Sequence, residues 1–139
     1  MDCPFCKIDK AKTKILKEGK HYFIALSNPR LVAGHLLVVP KRHVEKASEL
    51  TREERRSIFD AIIALEEEVL AKFAPGCDVK THHRPFLKRS WVKVDHLHFH
   101  VQPREFEDEL YQKSQKHEKE LWKELFEAER KKFTKLFGE

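Results

Sequence analysis

The sequence predicts an α+β fold, and three observations lead there. Short β-prone runs come first, one amphipathic helix with a clear start signal follows, and a strand studded with histidines comes after it. Beyond that strand the chain turns heavily charged, with apolar residues set among the charges. At 139 residues the chain suits a single core rather than two, and no internal repeat or low-complexity linker divides it.

Residues 13–16 and 21–26 read as two strands of a hairpin, separated by Glu18-Gly19-Lys20. Ser27-Asn28-Pro29-Arg30 reads as a turn, because proline disfavours helix at the residue before it. Gly34 precedes a further strand over residues 35–39, which Pro40 stops. Thr51-Arg52-Glu53-Glu54 is a capping box, its threonine and second glutamate spaced to satisfy each other's end of a helix. Ile58, Ile62, Leu65, Val69 and Phe73 then recur at helical spacing until Pro75-Gly76 ends the pattern. Residues 77–82 form a weaker strand candidate and residues 96–102 a stronger one. From Glu105 onward, Leu110, Leu121, Leu125, Phe126, Phe133 and Phe137 imply a long helix, or a pair of helices, with one apolar stripe that needs a surface to cover.

Composition narrows the setting. Hydrophobic residues make up 40% and charged residues 37%, a globular composition with a highly charged surface. The longest aliphatic run, Leu36-Leu37-Val38-Val39, is far too short to cross a bilayer. Met1-Asp2-Cys3-Pro4 lacks the basic and then apolar pattern of a secretory signal. The expectation is a soluble cytoplasmic protein with no membrane partner. A formal net charge of +5 favours anionic ligands without choosing between nucleotides, nucleic acid and acidic surfaces. Part of that charge is concentrated in Lys80, Arg84, Lys88, Arg89 and Lys93, which lead directly into the histidine cluster.

That cluster is His96-Leu97-His98-Phe99-His100-Val101-Gln102. Side chains on a strand alternate faces, so the three histidines project together while Leu97, Phe99 and Val101 point into the core. Three in strict alternation exceed what folding requires. Two chemistries use such a row. Imidazoles can ligate a catalytic metal, or a neutral imidazole can attack phosphorus with neighbouring donors stabilising the charged product.

Cys3-Pro4-Phe5-Cys6 is a second signal, since paired thiolates two residues apart can grip a tetrahedral zinc. An intracellular setting disfavours a structural disulfide, and no βαβ context supports a thioredoxin-like redox pair. Two further ligands would have to come from elsewhere. Cys77 has no evident partner and reads as a small buried residue.

The histidine row resembles the signature of the histidine-triad (HIT) superfamily, three histidines alternating with hydrophobic residues. Gln102 departs from it, since the family has another hydrophobic residue there. Asn28, the run from Gly34 and His35 to Pro40, and Lys41-Arg42-His43 resemble the family's ribose-contacting turn and the strand that follows it. The capping-box helix falls where the family's main helix lies, and the likeness covers residues 3–104.

The resemblance implies an antiparallel sheet with one main helix, a HIT domain over residues 1–104 and a C-terminal helical extension over 105–139. It implies that His98 attacks the α-phosphorus of a nucleotide, purine by expectation, forming a nucleotidyl-histidine that water then hydrolyses. His100 would assist at the phosphate oxygens or leaving group, while Asn28 and His35 belong to the nucleotide-binding turn. The Cys-x-x-Cys start is similar to that of zinc-containing bacterial and archaeal members, which implies a structural Zn2+ held by Cys3, Cys6, His43 and His96. It also implies a homodimer, with the C-terminal helix assisting assembly or closing over the active site.

Where the family has an asparagine-glycine turn and then a Gly-Gln pair that cradle phosphates, this chain has residues 80–93, with Trp91-Val92 at the Gly-Gln place. The cradle is either absent or rebuilt from Arg84, Lys88, Arg89 and Ser90. Two readings therefore stand beside the hydrolase or transferase: a nucleotide- or nucleic-acid-binding protein without turnover, and a metalloenzyme with zinc on the triad. A nucleic-acid end is a further candidate substrate.

Overall fold

The structure is a computed structural model that describes residues 3–90 and 92–138. Chain contacts divide it into two compact units, residues 1–108 and 109–139.

The first unit is built on a five-stranded antiparallel sheet. Its strands are β1 (Ile15–Glu18), β2 (Tyr22–Leu26), β3 (Leu36–Pro40), β4 (Gly76–Lys80) and β5 (Phe99–Arg104), in spatial order β1-β2-β3-β5-β4. One long helix, α1 (Arg52–Lys72), lies between β3 and β4 in the chain. The α+β expectation holds, with adjusted strand limits. The hairpin extends to Glu18, which pairs with Phe23, and a register shift between Ile15 and Lys17 displaces the half-exposed Leu16.

The expected strand over 96–102 begins at Phe99 and runs to Arg104. Its first residues bond outside the ladder. The Leu97 N–H donates to the Val44 carbonyl at 2.7 Å, and the Thr81 hydroxyl donates to the His98 carbonyl at 2.7 Å. His96 and His98 therefore lie on an extended approach to β5, held from both sides.

α1 starts at the predicted capping box. Glu54 N–H donates to Thr51 Oγ1 at 3.1 Å, and Thr51 N–H returns a bond to Glu54 Oε1 at 2.8 Å. Buried Glu54 also takes two bonds from Arg42, Nε at 3.0 Å and Nη2 at 2.8 Å. The Arg42 bonds, followed by the Thr51 N–H, hold its carboxyl down at about 2. The helix cap thus anchors the turn that presents His43.

The two sheet faces have separate cores. Ile58, Ile62, Leu65 and Val69 of α1 pack with Ile24, Val38, Leu97 and Val101 on one face. Phe23, Ala25, Leu37 and Val39 make the other, with Phe5 and Ile8 of the N-terminal segment packed on them. Ala25, Leu37, His100 and Lys80 are register partners across four strands, so they share the face away from α1. That shared face carries the site.

The second unit is segmented rather than one long helix. It has a π-helical turn at Tyr111–Gln115, a 3-10 turn at Glu118–Leu121, and α2 (Glu127–Phe137). Trp122 and Phe126, which bound the intervening stretch, have extended backbone angles. Phe133 and Phe137 stack along α2 with ring centroids 6.1 Å apart.

Candidate functional site

Gly34 begins the site. Its φ of +77° favours glycine, and a Cβ there would lie 2.8 Å from the Phe73 ring and 3.2 Å from Pro103. The tight passage delivers His35 into the sheet, where it is 5% exposed. The Leu31 N–H donates to His35 Nδ1 at 3.0 Å, so neutral His35 carries its proton on Nε2. That Nε2–H faces His100 Nδ1 at 2.9 Å, which leaves the His100 proton on its own Nε2. Two imidazoles in series thus convert a backbone donor into a fixed donor beside His98.

His98 has the opposite polarity. Its Nδ1–H donates to the His96 carbonyl at 2.7 Å, leaving the Nε2 lone pair unprotonated. Its ring meets Phe5 edge-on at 5.1 Å and His100 at 4.9 Å. Burial pushes the His98 pKa down. Burial, followed by the neighbouring His98, His35, His82 and Lys80, lowers His100 to about 3. His35 is lowered to about 4, by burial and then by Lys80 and His98. The His35–His100 pair is neutral at pH 7.

These rings line a cavity of about 440 Å³, the size of a small-molecule site. Ser27, Asn28, Arg30 and Leu31 line it from the β2–β3 turn, Lys80 from the end of β4, and His82, His83, Arg84 and Lys93 from the segment after β4. Of the residues expected to bind nucleotide, Asn28, His35 and Arg84 are in this cavity, whereas Lys88 and Arg89 are not among its lining. Asn28 Nδ2 donates to the Lys12 carbonyl at 3.0 Å, which fixes the amide. Trp91, expected at the Gly-Gln place, lies outside the described residues.

Cys3, Cys6, His43 and His96 come together as expected and are positioned to bind a metal ion, their ligand atoms all within 4.8 Å of one another. His43 Nδ1 and His96 Nδ1 are 3.1 Å apart, and Cys6 Sγ is 3.2 Å from His43 Nδ1 and 3.5 Å from His96 Nδ1. Cys3 Sγ stands 3.3 Å from His96 Nδ1. A tetrahedron at zinc's bond lengths needs donor–donor edges of about 3.3–3.8 Å, so the donor set fits with only slight expansion. The ligand nitrogen of His96 is fixed from behind, because its Nε2–H donates to the Pro40 carbonyl at 2.8 Å. Glu45 lies outside His43, a carboxylate oxygen 3.7 Å from its Nε2.

Several site residues escaped sequence reasoning. Phe5, the spacer inside Cys-x-x-Cys, touches both His96 and His98. His82 lies 5.3 Å from the His100 ring, and period-two alternation from Lys80 could have placed it there. Gln102, singled out as a departure from pattern, is 1% exposed, and its Oε1 has no partner among the described residues. Its Nε2 lies 3.5 Å from His35 Nε2, where an N–H faces an N–H.

A sheet face bearing an alternating row of histidines, one buried and two half-buried, open to a ligand-sized cavity, defines a histidine-triad protein. The chain belongs to the HIT domain family, which matches residues 9–107. It is 30% identical over 107 residues to "Protein hit" of Bacillus subtilis, covering 74% of this chain and 71% of that protein. It is 32% identical over 110 residues to the adenosine 5'-monophosphoramidase hnt1 of Schizosaccharomyces pombe, covering 78% of each. A crystal structure of a HIT family member from Bacillus subtilis superposes with a TM-score of 0.65 at 28% identity, covering 75% of this chain and 74% of that one.

Proposed function

We propose that this protein is a nucleotide hydrolase or transferase in which His98 attacks the α-phosphorus of a bound nucleotide. One observation carries the reading. His98 has its Nδ1–H committed to a backbone carbonyl, so a neutral Nε2 lone pair is available beside a cavity lined by cations. Attack forms a P–N bond as the bond to the leaving group breaks, and the leaving group departs with the electron pair. Water then attacks phosphorus, the P–N bond breaks, and the nucleoside monophosphate is released with His98 regenerated. His100 Nε2–H, its proton set by His35, donates to a phosphate oxygen or to the departing atom.

Asn28 and His35 belong to the turn that holds the nucleoside, and Arg84, which lines the cavity where Lys88 and Arg89 do not, serves the phosphates. The relative named as an adenosine 5'-monophosphoramidase supports a purine nucleotide. A nucleic-acid end carrying such a nucleotide would meet the same groups. Zn2+ suits the Cys2His2 site. When bound it would supply a structural cross-link, tying Cys3 and Cys6 to His43 and His96 and so seating Phe5 against His98. Four protein ligands complete a tetrahedral zinc, which leaves no open position for substrate on that metal.

We assign residues 1–104 to the catalytic domain, 105–139 to an extension, and the protein to the cytoplasm as a homodimer. No helix among the described residues is long and apolar enough to cross a membrane.

Steady-state turnover of a purine nucleotide panel tests the assignment. His98→Asn should lose at least about three orders of magnitude in kcat with binding retained, since no other group replaces the nucleophile. Retained turnover in that variant refutes it. Nucleotide binding without turnover in the native protein would establish the binding-only reading instead.

A further inference from the structure

We propose that Gln102 is a positioning residue that fixes the polarity of the His35–His100 relay, so that His100 presents an N–H rather than a lone pair beside His98. The inference rests on the His98 reading and adds a residue that acts through two others.

Alternation along β5 makes Gln102 the fourth member of the histidine row, two residues beyond His100 on the same face. It is 1% exposed and is among the residues lining the cavity. Its register partner Asp78 takes a bond from Arg104 Nη1 at 2.7 Å. Among the described residues the Gln102 amide meets one polar group, His35 Nε2 at 3.5 Å, and Oε1 meets none. A buried amide left in this way costs stability that a hydrophobic residue would not. Its presence in the row asks for a use.

The relay supplies one. His35 and His100 are both neutral at pH 7, held down to about 4 and about 3 with burial as the largest cause. Each ring therefore carries one N–H, and the relay can run in either direction. One direction has Nε2–H on both rings. The other has Nδ1–H on both, and the His100 Nε2 lone pair would then face the substrate phosphate and repel it. His100 cannot choose, because its Nδ1 serves equally as donor or acceptor. The Leu31 N–H chooses from one end, 3.0 Å from His35 Nδ1, but Leu31 is exposed on the turn that lines the cavity. Gln102 chooses from the other end. The two ends of its amide have the same shape, and a half-turn places Oε1 opposite the His35 Nε2–H. A carbonyl oxygen only accepts, so it admits the first direction and excludes the second. The bond is long because His100 Nδ1, at 2.9 Å, shares the same N–H. The far end of the amide stays unpartnered, so the side chain still costs stability. Gln102 thus holds the relay from the sheet while the turn takes up ligand.

The test uses zinc-replete, full-length protein carrying Gln102→Met, equal in length without an acceptor oxygen, or Gln102→Leu. Proton–nitrogen correlation spectra of the histidine rings read the tautomers directly. Native His35 and His100 should each show a single Nε2–H tautomer, with and without a bound purine nucleoside monophosphate. In both variants His100 should show a mixture that includes Nδ1–H once the nucleoside monophosphate occupies the turn. Turnover of a purine nucleotide should fall about 3–10-fold in kcat, the size of one neutral hydrogen bond, with KM unchanged and the melting temperature not lowered. A packing role would instead lower the melting temperature and leave the tautomers alone. A single Nε2–H tautomer in the liganded variants, or an unchanged kcat, overturns the proposal. The spectra need no catalysis, so native protein without turnover refutes His98 as nucleophile while the tautomers still decide the role of Gln102.

Discussion

Removing the metal ligands is a perturbation whose size follows from the geometry. In Cys3→Ala/Cys6→Ala the four-ligand cluster loses both thiolates, and the N-terminal segment loses its tie to His43 and His96. A metal that binds only the folded state contributes about 2.7 kcal/mol when its free concentration is a hundred times its dissociation constant. Phe5 and Ile8, part-buried against the Phe23–Val39 cluster, each contribute roughly half of a full apolar burial, on the order of 1 kcal/mol. The metal contribution alone corresponds to a melting-temperature loss of about 10–20 °C for a unit near 100 residues. Calorimetry on zinc-replete protein, with and without chelator and with elemental analysis of the same sample, reads this directly. Native protein should hold one metal per chain and lose stability on chelation, whereas the double variant should melt lower and ignore the chelator. A zinc-replete preparation without metal, or a variant as chelator-sensitive as the native protein, refutes the reasoning.

Three other outcomes follow from the same structure. His35 and His100 are held near 4 and 3, below the ordinary 6.5, so between those values the unfolded chain binds more protons than the folded one. Stability should be full above pH 6.5 and fall steadily towards pH 4, and a melting temperature flat across that window contradicts their buried neutral state. Gln102→Leu removes a buried amide with an unpartnered oxygen, and should stabilise by about 1 kcal/mol in thermal melts; a loss of stability would show that the amide has a partner. Phe59, Ile63 and Leu70 are exposed on one side of α1, with Phe73 exposed just past its end, an apolar face suited to a second copy, so light scattering should give twice the 16.5 kDa chain mass. A monomer contradicts the dimer.

Local signals were readable in the sequence where one residue type has one physical use. The capping box at Thr51 and Glu54 and the helical spacing behind it rest on backbone geometry alone and appear as expected, whereas the alternation of His96, His98 and His100 falls on an extended approach that becomes a strand only at Phe99. The pairing of Cys3 and Cys6 with His43 and His96 joins residues up to 93 positions apart, so it came from family resemblance rather than spacing. Contacts made only in three dimensions were not readable. The His35–His100 relay depends on the Gly34 turn, and the Phe5 ring reaches His98 only once the N-terminal segment covers the sheet. The split of the tail into short helical turns and α2 breaks a charge-and-apolar pattern that a continuous helix would fit equally well.

The central claim is a covalent one, and intact-protein mass spectrometry after rapid acid-free quenching tests it most directly. Incubation with a purine nucleoside polyphosphate should add the mass of one nucleoside monophosphate, less water, to the chain. Peptide mapping should place it on His98, and His98→Asn should show none. An adduct on another residue, or turnover of the same substrate with no adduct at any quench time, contradicts the account.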